Sequence, residues 1–391
     1  MIVSALRFSI VLCVIPAVYS PAQETTLKHA RRGNAEAVGA QAMGPVRILA
    51  RRDYADKLYG FWLGACIANW TGLVTEMDKI GVTNEYDTGR FYTRKDWGKP
   101  DQPSIWNDEP SSLSPTIDFV LRGESEVWGA DDDTDVEYMY QHLLLVNRTC
   151  VLSPQQIRAG WLKHIHSEEE NYLWVSNERA YRLMEGGVLP PATSDPGLND
   201  EYAMIDAQLT TEVFGLFAPT RPDIALRLAH LPIRTTARGD AAWIAEFYVT
   251  MHALAALHEE GDPIDEHLRW SAGEARKAIP EVSYAAKMHD HVLALYRSSH
   301  AWEKTRDSLH DRYHVRHADS YDMSEKPGNG CAAAGINFAA SLVSLYYGAG
   351  DLKETIKIGT LAGWDSDNPT ATWGGLLGFL HGRQAVEEAF G

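Results

Sequence analysis

Two groups of acids in this sequence have the composition to hold cations. Asp131, Asp132 and Asp133 stand in a row and are followed by Thr134 and Asp135, four carboxylates within five residues. Near the other end, Gly363-Trp364-Asp365-Ser366-Asp367-Asn368-Pro369-Thr370 sets two more acids and an amide oxygen among the apolar Leu361, Ala362, Trp364 and Trp373. Helix capping accounts for one or two acids at a helix start, at about 1 kcal/mol each. It leaves the remainder unexplained, because adjacent carboxylates repel and a carboxylate in apolar surroundings is costly unless paired or metal-bound. A hard cation with oxygen ligands resolves both conflicts. An EF-hand loop does not fit: the sixth position from Asp131 is Val136 rather than glycine, and the twelfth is His142 rather than glutamate. Asn368 followed by Pro369 reads as a helix start with a capping side chain.

The elements around these acids are helical. Tyr54, Leu58, Phe61, Trp62 and Ala65 recur at intervals of three and four, as do Val136, Met139, Tyr140, Leu143 and Leu144 after the first acid group. The same spacing predicts helices over 154–167, 175–186, 202–217, 221–230, 240–260, 266–278, 282–299, 331–348, 351–362 and 370–390. Irregular stretches are expected at 77–115, 187–200, 231–238 and 312–330, the first long enough to serve as a binding loop or lid. Alternating β-branched runs are nearly absent, so the fold class is all-α. No composition shift divides the chain, and one domain is expected. The apolar stretch 331–349 is interrupted by Asn337, Ser341 and Ser344, which suits a central bundle helix better than a membrane span. Gly60 and Gly64, and later Gly374, Gly375 and Gly378, let a neighbouring helix approach closely.

With the acids and helices placed, the chain resembles the ADP-ribosylglycohydrolase family. That family has a glycine-spaced first helix, a Thr-Asp-Asp-Thr group opening a helix, and a Gly-x-Asp-x-Asp-Thr group opening a late glycine-rich helix. Here they correspond to Gly60-Phe-Trp-Leu-Gly64, Asp131-Asp132-Asp133-Thr134 and Gly363-Trp-Asp365-Ser-Asp367-Asn368. Phe214-Gly-Leu-Phe-Ala-Pro219 and Ala225-Leu-Arg-Leu-Ala229 resemble the family's central stretch, so the likeness runs over about residues 53–385. It implies an orthogonal all-α bundle with two divalent cations, usually Mg2+, with Mn2+ or Ca2+ as alternatives. It also implies that Asp131, Asp132 and Asp133 bind metal from one side and Asp365, Asp367 and Asn368 from the other. Glu76 is the nearest match to a further acid that follows the first helix. Three residues depart from the pattern: Asp131 stands at a usual threonine, Asn368 at the last threonine, and Ala65 at an aspartate.

The resemblance implies hydrolysis of an ADP-ribosyl, ribosyl or related furanosyl bond. Cations would orient vicinal hydroxyls while a water activated by Glu76, Asp132 or Asp367 attacks the anomeric carbon. Two rivals remain: a non-catalytic binding protein of the same fold, and a two-metal phosphohydrolase. Asn69, Trp174, Asn177, Asp206 and Gln208 are candidate substrate contacts, with Asn199 beside them and Trp70, Trp97 and Trp106 as further stacking surfaces. For each of these, ordinary packing or helix polarity is the competing explanation. His164-Ile-His166 and His289-Asp-His291 have zinc-like spacing but no third ligand in register, and read as solvated helix faces. No nucleophile elbow, P-loop or dinucleotide fingerprint occurs.

Composition bounds the setting. The chain has 391 residues and a formal net charge of −17, which repels phosphate backbones and speaks against a nucleic-acid polymer as partner. Arg7, the apolar run Phe8–Val18, and the small residues Ser20 and Ala22 form an export signal over 1–22. A polar leader follows over 23–50, then the catalytic domain over 51–391. A secreted or periplasmic protein with no membrane segment after cleavage is the expectation. Cys66, Cys150 and Cys331 would remain, allowing at most one disulfide. Asn69-Trp70-Thr71 and Asn147-Arg148-Thr149 are glycosylation sequons, while Asn368-Pro369-Thr370 is excluded by its proline.

Overall fold

Small residues decide how the first long helix meets the last. α1 (Arg51–Gly72) crosses a helix built from Asp367–His381 with backbone against backbone. A Cβ added at Gly64 would lie 2.2 Å from the Gly374 carbonyl oxygen, and one at Gly378 would lie 2.1 Å from that of Gly60. No larger side chain fits this crossing. Glu76 follows the end of α1, and Asp365 and Asp367 stand at the start of the later helix, so the glycines set the distance between these acids.

The computed structural model describes residues 48–391 apart from 84, 124, 130, 167–172, 325 and 327–329. The export signal therefore lies outside the described residues, as does most of the leader. The chain forms two units, Met1–Ala55, of which the described part ends in the first turn of α1, and Asp56–Gly391. In the second unit α1 continues and is followed by α2 (Asp132–Asn147), α3 (Pro154–His164), α4 (Val175–Glu185), α5 (Asp206–Thr211), α6 (Val213–Phe217) and α7 (Pro222–Thr236). Then come α8 (Gly239–Ala255), α9 (Ile264–Arg276), α10 (Tyr284–Arg297), α11 (Trp302–Leu309), α12 (Ala334–Gly348), α13 (Leu352–Ala362), α14 (Asp367–His381) and α15 (Arg383–Phe390). Among the described residues only isolated β-bridges occur, so the chain is all-α.

Two helices form the centre. α8 is buried almost throughout and packs on α5, α6, α7 and α9, while α12 packs on α10, α13 and α14. The polar residues of α12 are satisfied inside the core. Ser341 Oγ donates to the Phe338 carbonyl at 2.8 Å, Ser344 Oγ to the Ser341 carbonyl at 2.8 Å, and the Trp373 indole to that same carbonyl at 2.8 Å. This is a bundle helix, and no described helix is long and apolar enough to cross a membrane.

Several boundaries differ from the sequence expectation. The stretch 231–238 is largely helical: α7 runs through Pro232 to Thr236, with Pro232, Ile233 and Thr235 buried against the bundle. Burial there outweighs the hydrogen bond the proline removes. The predicted helix 202–217 begins only at Asp206 and is divided at Glu212, whose backbone stays helical at φ −62°, ψ −30°. The predicted helix 370–390 is two helices parted by Gly382 at φ +82°. α11 and the π-helical turn His310–Val315 were not expected. Their signal is Trp302, Thr305, Arg306 and Leu309 at helical spacing, all buried, with an arginine standing where an apolar residue would be sought. The long stretch 77–115 is irregular, as expected.

Candidate metal centre

The two acid groups are brought together by interlocked turns. After α1 the chain turns at Met77 (φ +56°), and after α13 it turns at Gly363 (φ +98°) and Trp364 (φ +60°). The turns bond to each other: Met77 N–H donates to the Trp364 carbonyl at 2.8 Å and Trp364 N–H to the Lys79 carbonyl at 2.9 Å. Position 363 must be glycine, since a Cβ there would lie 2.3 Å from the Lys79 oxygen at a backbone angle other residues avoid. Thr75 and Ser366 hydroxyls bond each other at 3.0 Å, and Ser366 Oγ donates to the Gly72 carbonyl at 2.9 Å. Glu76 is thereby set beside Asp365 and Asp367, each offering an oxygen within 4.8 Å of the others.

Arg306 holds this turn from below. Its buried guanidinium donates to the carbonyls of Leu361 (3.2 Å), Ala362 (3.1 Å) and Tyr92 (3.0 Å), and lies 4.3 Å from the Phe91 ring centre. It closes the C-terminus of α13 immediately before Gly363. Sequence reasoning missed this residue.

Asp131, Asp132 and Asp133 likewise offer oxygens within 4.8 Å of one another. Asp131 occupies the N-cap of α2, yet its side chain makes no capping bond. Its carboxylate instead accepts from Asn69 Nδ2 at 2.5 Å. Asn368 is not a helix cap either. α14 begins at Asp367 with Ser366 before it, and the Asn368 amide donates to Asp133 Oδ1 at 3.0 Å while its oxygen accepts from Gln208 Nε2 at 2.8 Å. The demand for a bridge between two acid-bearing helices wins over local capping. One lone pair of the Asn368 oxygen remains for a cation.

The Asn368–Asp133 bond joins the two groups, and their charges act on each other. Burial first, then Asp367, Asp131 and Asp132, push the Glu76 carboxyl well above its usual range. Burial and then Asp131, Asp206 and Asp367 do the same for Asp132, and burial and then Asp367 for Asp133 and Asp365. Asp131 is pushed up to about 7, by burial and then by Asp367. Among the described residues no lysine or arginine forms an ion pair with any of these acids. Asp367 Oδ1 is buried without a hydrogen-bond partner. A donor set of carboxylate and amide oxygens, with an orphaned oxygen and no protein cation, fits a hard divalent ion and does not fit the nitrogen- and sulfur-rich sites of zinc.

The substrate candidates separate into three groups. Asn69, Asn177 and Gln208 are buried, and each keeps amide atoms without a partner: Asn69 Oδ1, Gln208 Oε1 and both amide atoms of Asn177. Asp206, pushed up to about 6 by burial, accepts from Ser176 Oγ at 2.5 Å and from Asn177 N–H at 2.9 Å, so it fixes the start of α4. Trp174 precedes α4, 58% exposed, and lies parallel to Trp106, 53% exposed, at 5.9 Å between centres and 3° between planes. Others serve packing. Trp97 meets Phe119 and Lys357, Trp70 lies against Arg122, and Asn199 donates to the Ser176 and Thr193 carbonyls. His289 is not on a solvated face: it is buried between Tyr346 and Asp290, a structural role. Cys66 and Cys331 are free thiols. The Asn69 sequon is buried, while Asn147 is exposed at the end of α2.

In this all-α chain, acids from two helix starts and one turn meet around an oxygen-only set of donors. The sequence profile of the ADP-ribosylglycohydrolase family matches residues 50–390, and the chain belongs to that family. A solved structure described as an ADP-ribosylglycohydrolase-related protein complex is similar at 18% identity over 85% of this chain and 90% of the other, with a TM-score of 0.44. No curated protein matches the chain by sequence.

Proposed function

We propose that this protein is an exported, metal-dependent glycosidase that hydrolyses an ADP-ribosyl, ribosyl or related furanosyl bond. The observation that carries the reading is the pair of acid groups, Glu76, Asp365 and Asp367 and Asp131, Asp132 and Asp133, joined through Asn368 with no protein cation among the described residues and with unpartnered amides beside them. Glu76, Asp131, Asp132, Asp133, Asp365, Asp367 and Asn368 would hold two divalent ions, Mg2+ by preference. Such ions supply positive charge that orients vicinal hydroxyls and eases ionisation of water.

The chain's own residues do the remaining work. The Asn69 and Asn177 amides present donors and acceptors to sugar hydroxyls at the edge of the centre. One of Glu76, Asp132 and Asp367 accepts the proton of the attacking water, which passes on to the departing group as the glycosidic bond breaks, and their negative field favours the oxocarbenium-like transition state. The parallel faces of Trp106 and Trp174 offer a stacking surface for a planar aglycone or base.

The test is product analysis with the full chain on ADP-ribosylated protein and a panel of furanosides. Release of free sugar or ADP-ribose, lost on chelation and restored by Mg2+ or Mn2+, is expected. Inorganic phosphate among the products would select a phosphohydrolase. Ligand binding without turnover on any substrate would select a binding protein.

A further inference from the structure

Beneath the metal centre lies a second set of polar side chains on the same three helical segments. In the upper layer Asp133 of α2, Asn368 of α14 and Gln208 of α5 are joined by the two amide hydrogen bonds already described. Exactly four residues further along each segment, one helical turn, stand Glu137, Thr372 and Glu212. They are joined too. Thr372 Oγ1 donates to Glu212 Oε1 at 2.9 Å, and Glu137 Oε1 accepts from Val213 N–H, the residue after Glu212, at 2.7 Å. Both glutamates are buried, 2% and 3% exposed, and neither forms an ion pair among the described residues. Glu212 Oε2 is buried without a partner.

Such an arrangement is expensive. A leucine at either position would fill the space without the desolvation that two neighbouring carboxyls incur. Buried polar groups retained at that cost characteristically specify register, because a slip of either helix leaves them unsatisfied.

We infer that Glu137, Glu212 and Thr372 form a positioning layer that fixes the register of α2, α5–α6 and α14 and thereby holds Asp133 and Asn368 in place for the metal. This rests on the metal-centre reading given above. With no cation at hand, at least one of the two glutamates keeps its proton, and the layer acts as a neutral acid beside a carboxylate. The other titratable groups facing it are Tyr248 and His252 of α8. Burial holds the first protonated and the second neutral near pH 7. Glu212 itself is pushed up to about 8 by burial, consistent with a retained proton.

The full chain and Mn2+ as probe test this by calorimetric titration. Glu137→Gln and Glu212→Gln keep the acceptor oxygens and should bind Mn2+ within about twofold of wild type. Glu137→Ala, Glu212→Ala and Thr372→Val break the layer and should weaken Mn2+ roughly tenfold or more, the range set by loss of outer-shell support. Folded alanine variants with wild-type affinity overturn the inference. If the alanine variants do not fold, an unchanged affinity in Thr372→Val overturns it. A wild-type chain that binds no Mn2+ sinks the metal-centre reading instead, and the layer is then judged by stability against pH. A carboxyl raised in the folded state contributes stability that is full below its ordinary range and lost as pH rises through about 8. The Tm of wild type should therefore fall over that window more than the Tm of Glu212→Gln, and identical slopes overturn the layer.

Discussion

Asn368 donates to Asp133 at 3.0 Å and so ties together two residues 235 positions apart, one from each acid group. That bond turns two local oddities of sequence into one centre. It also puts the centre at the mercy of how α2 and α14 are held.

Removing charge should separate the centre's stability from its use. Asp367 opposes ionisation of Glu76, Asp131, Asp132, Asp133 and Asp365. In chelator, Asp367→Asn is expected to raise Tm by about 2 °C, the response to relief of roughly 1 kcal/mol of repulsion. With millimolar Mg2+ or Mn2+ the wild type should gain stability while the variant gains none. Scanning fluorimetry with and without metal reads both, and equal metal response in the two proteins contradicts the assignment.

The glycine crossing admits no side chain. Gly64→Ala and Gly378→Ala place a methyl group 2.2 Å and 2.1 Å from a backbone oxygen. Each should cost about 3 kcal/mol or more, because backbone rather than a flexible side chain must move. Gly273→Ala, with open space around its Cβ, is the control and should be neutral or slightly stabilising. Denaturant melts compare the three.

Trp106→Ala and Trp174→Ala should raise KM for a base-bearing substrate about tenfold, since stacking on a base contributes about 1–3 kcal/mol. Inhibition by ADP-ribose should weaken by a similar factor while inhibition by free ribose stays unchanged. A fall in kcat at constant KM would place the pair elsewhere in the reaction.

Acid should destabilise the fold through His252. This imidazole is fully buried, edge-on to Phe61 at 5.8 Å, and burial pulls its pKa from 6.5 down to about 4. The unfolded chain binds the proton more readily, so the stability is complete above about 6.5 and is lost as pH falls toward 4. The full effect is about 3 kcal/mol. Unfolding free energies measured at pH 7 and pH 4 should differ by less in His252→Leu than in wild type, and equal differences would contradict the burial of a neutral histidine.

Much of this was legible in the sequence, for physical reasons. Four carboxylates within five residues and two more among tryptophans demand a counter-charge wherever the chain places them, and helical periodicity survives in most segments because one face must be buried. What was not legible depended on three dimensions. Asn368 looked like a cap, since Asn-Pro is a good helix start, and only its distance to Asp133 shows that it is a bridge. Arg306 was invisible because a buried guanidinium reads as a surface residue until the carbonyls it closes are known. Glu137 and Glu212 each look like ordinary helix-surface acids, and their meaning lies in the matching four-residue steps on three separate segments. The stretch 231–238, expected to be irregular, is largely helical because tertiary burial carries the helix through Pro232.

The burial of Asn69 bears on biosynthesis. Its side chain is fully buried and donates one amide hydrogen to Asp131, so a sugar attached there would wedge α1 away from the start of α2. Along a glycosylating export route the enzyme that decorates Asn-x-Thr would compete directly with collapse of the first helix. Chains modified at Asn69 would be dead ends for the secretory machinery to discard, whereas the exposed Asn147 could carry a glycan on the finished molecule and keep one amide hydrogen for the Leu143 carbonyl.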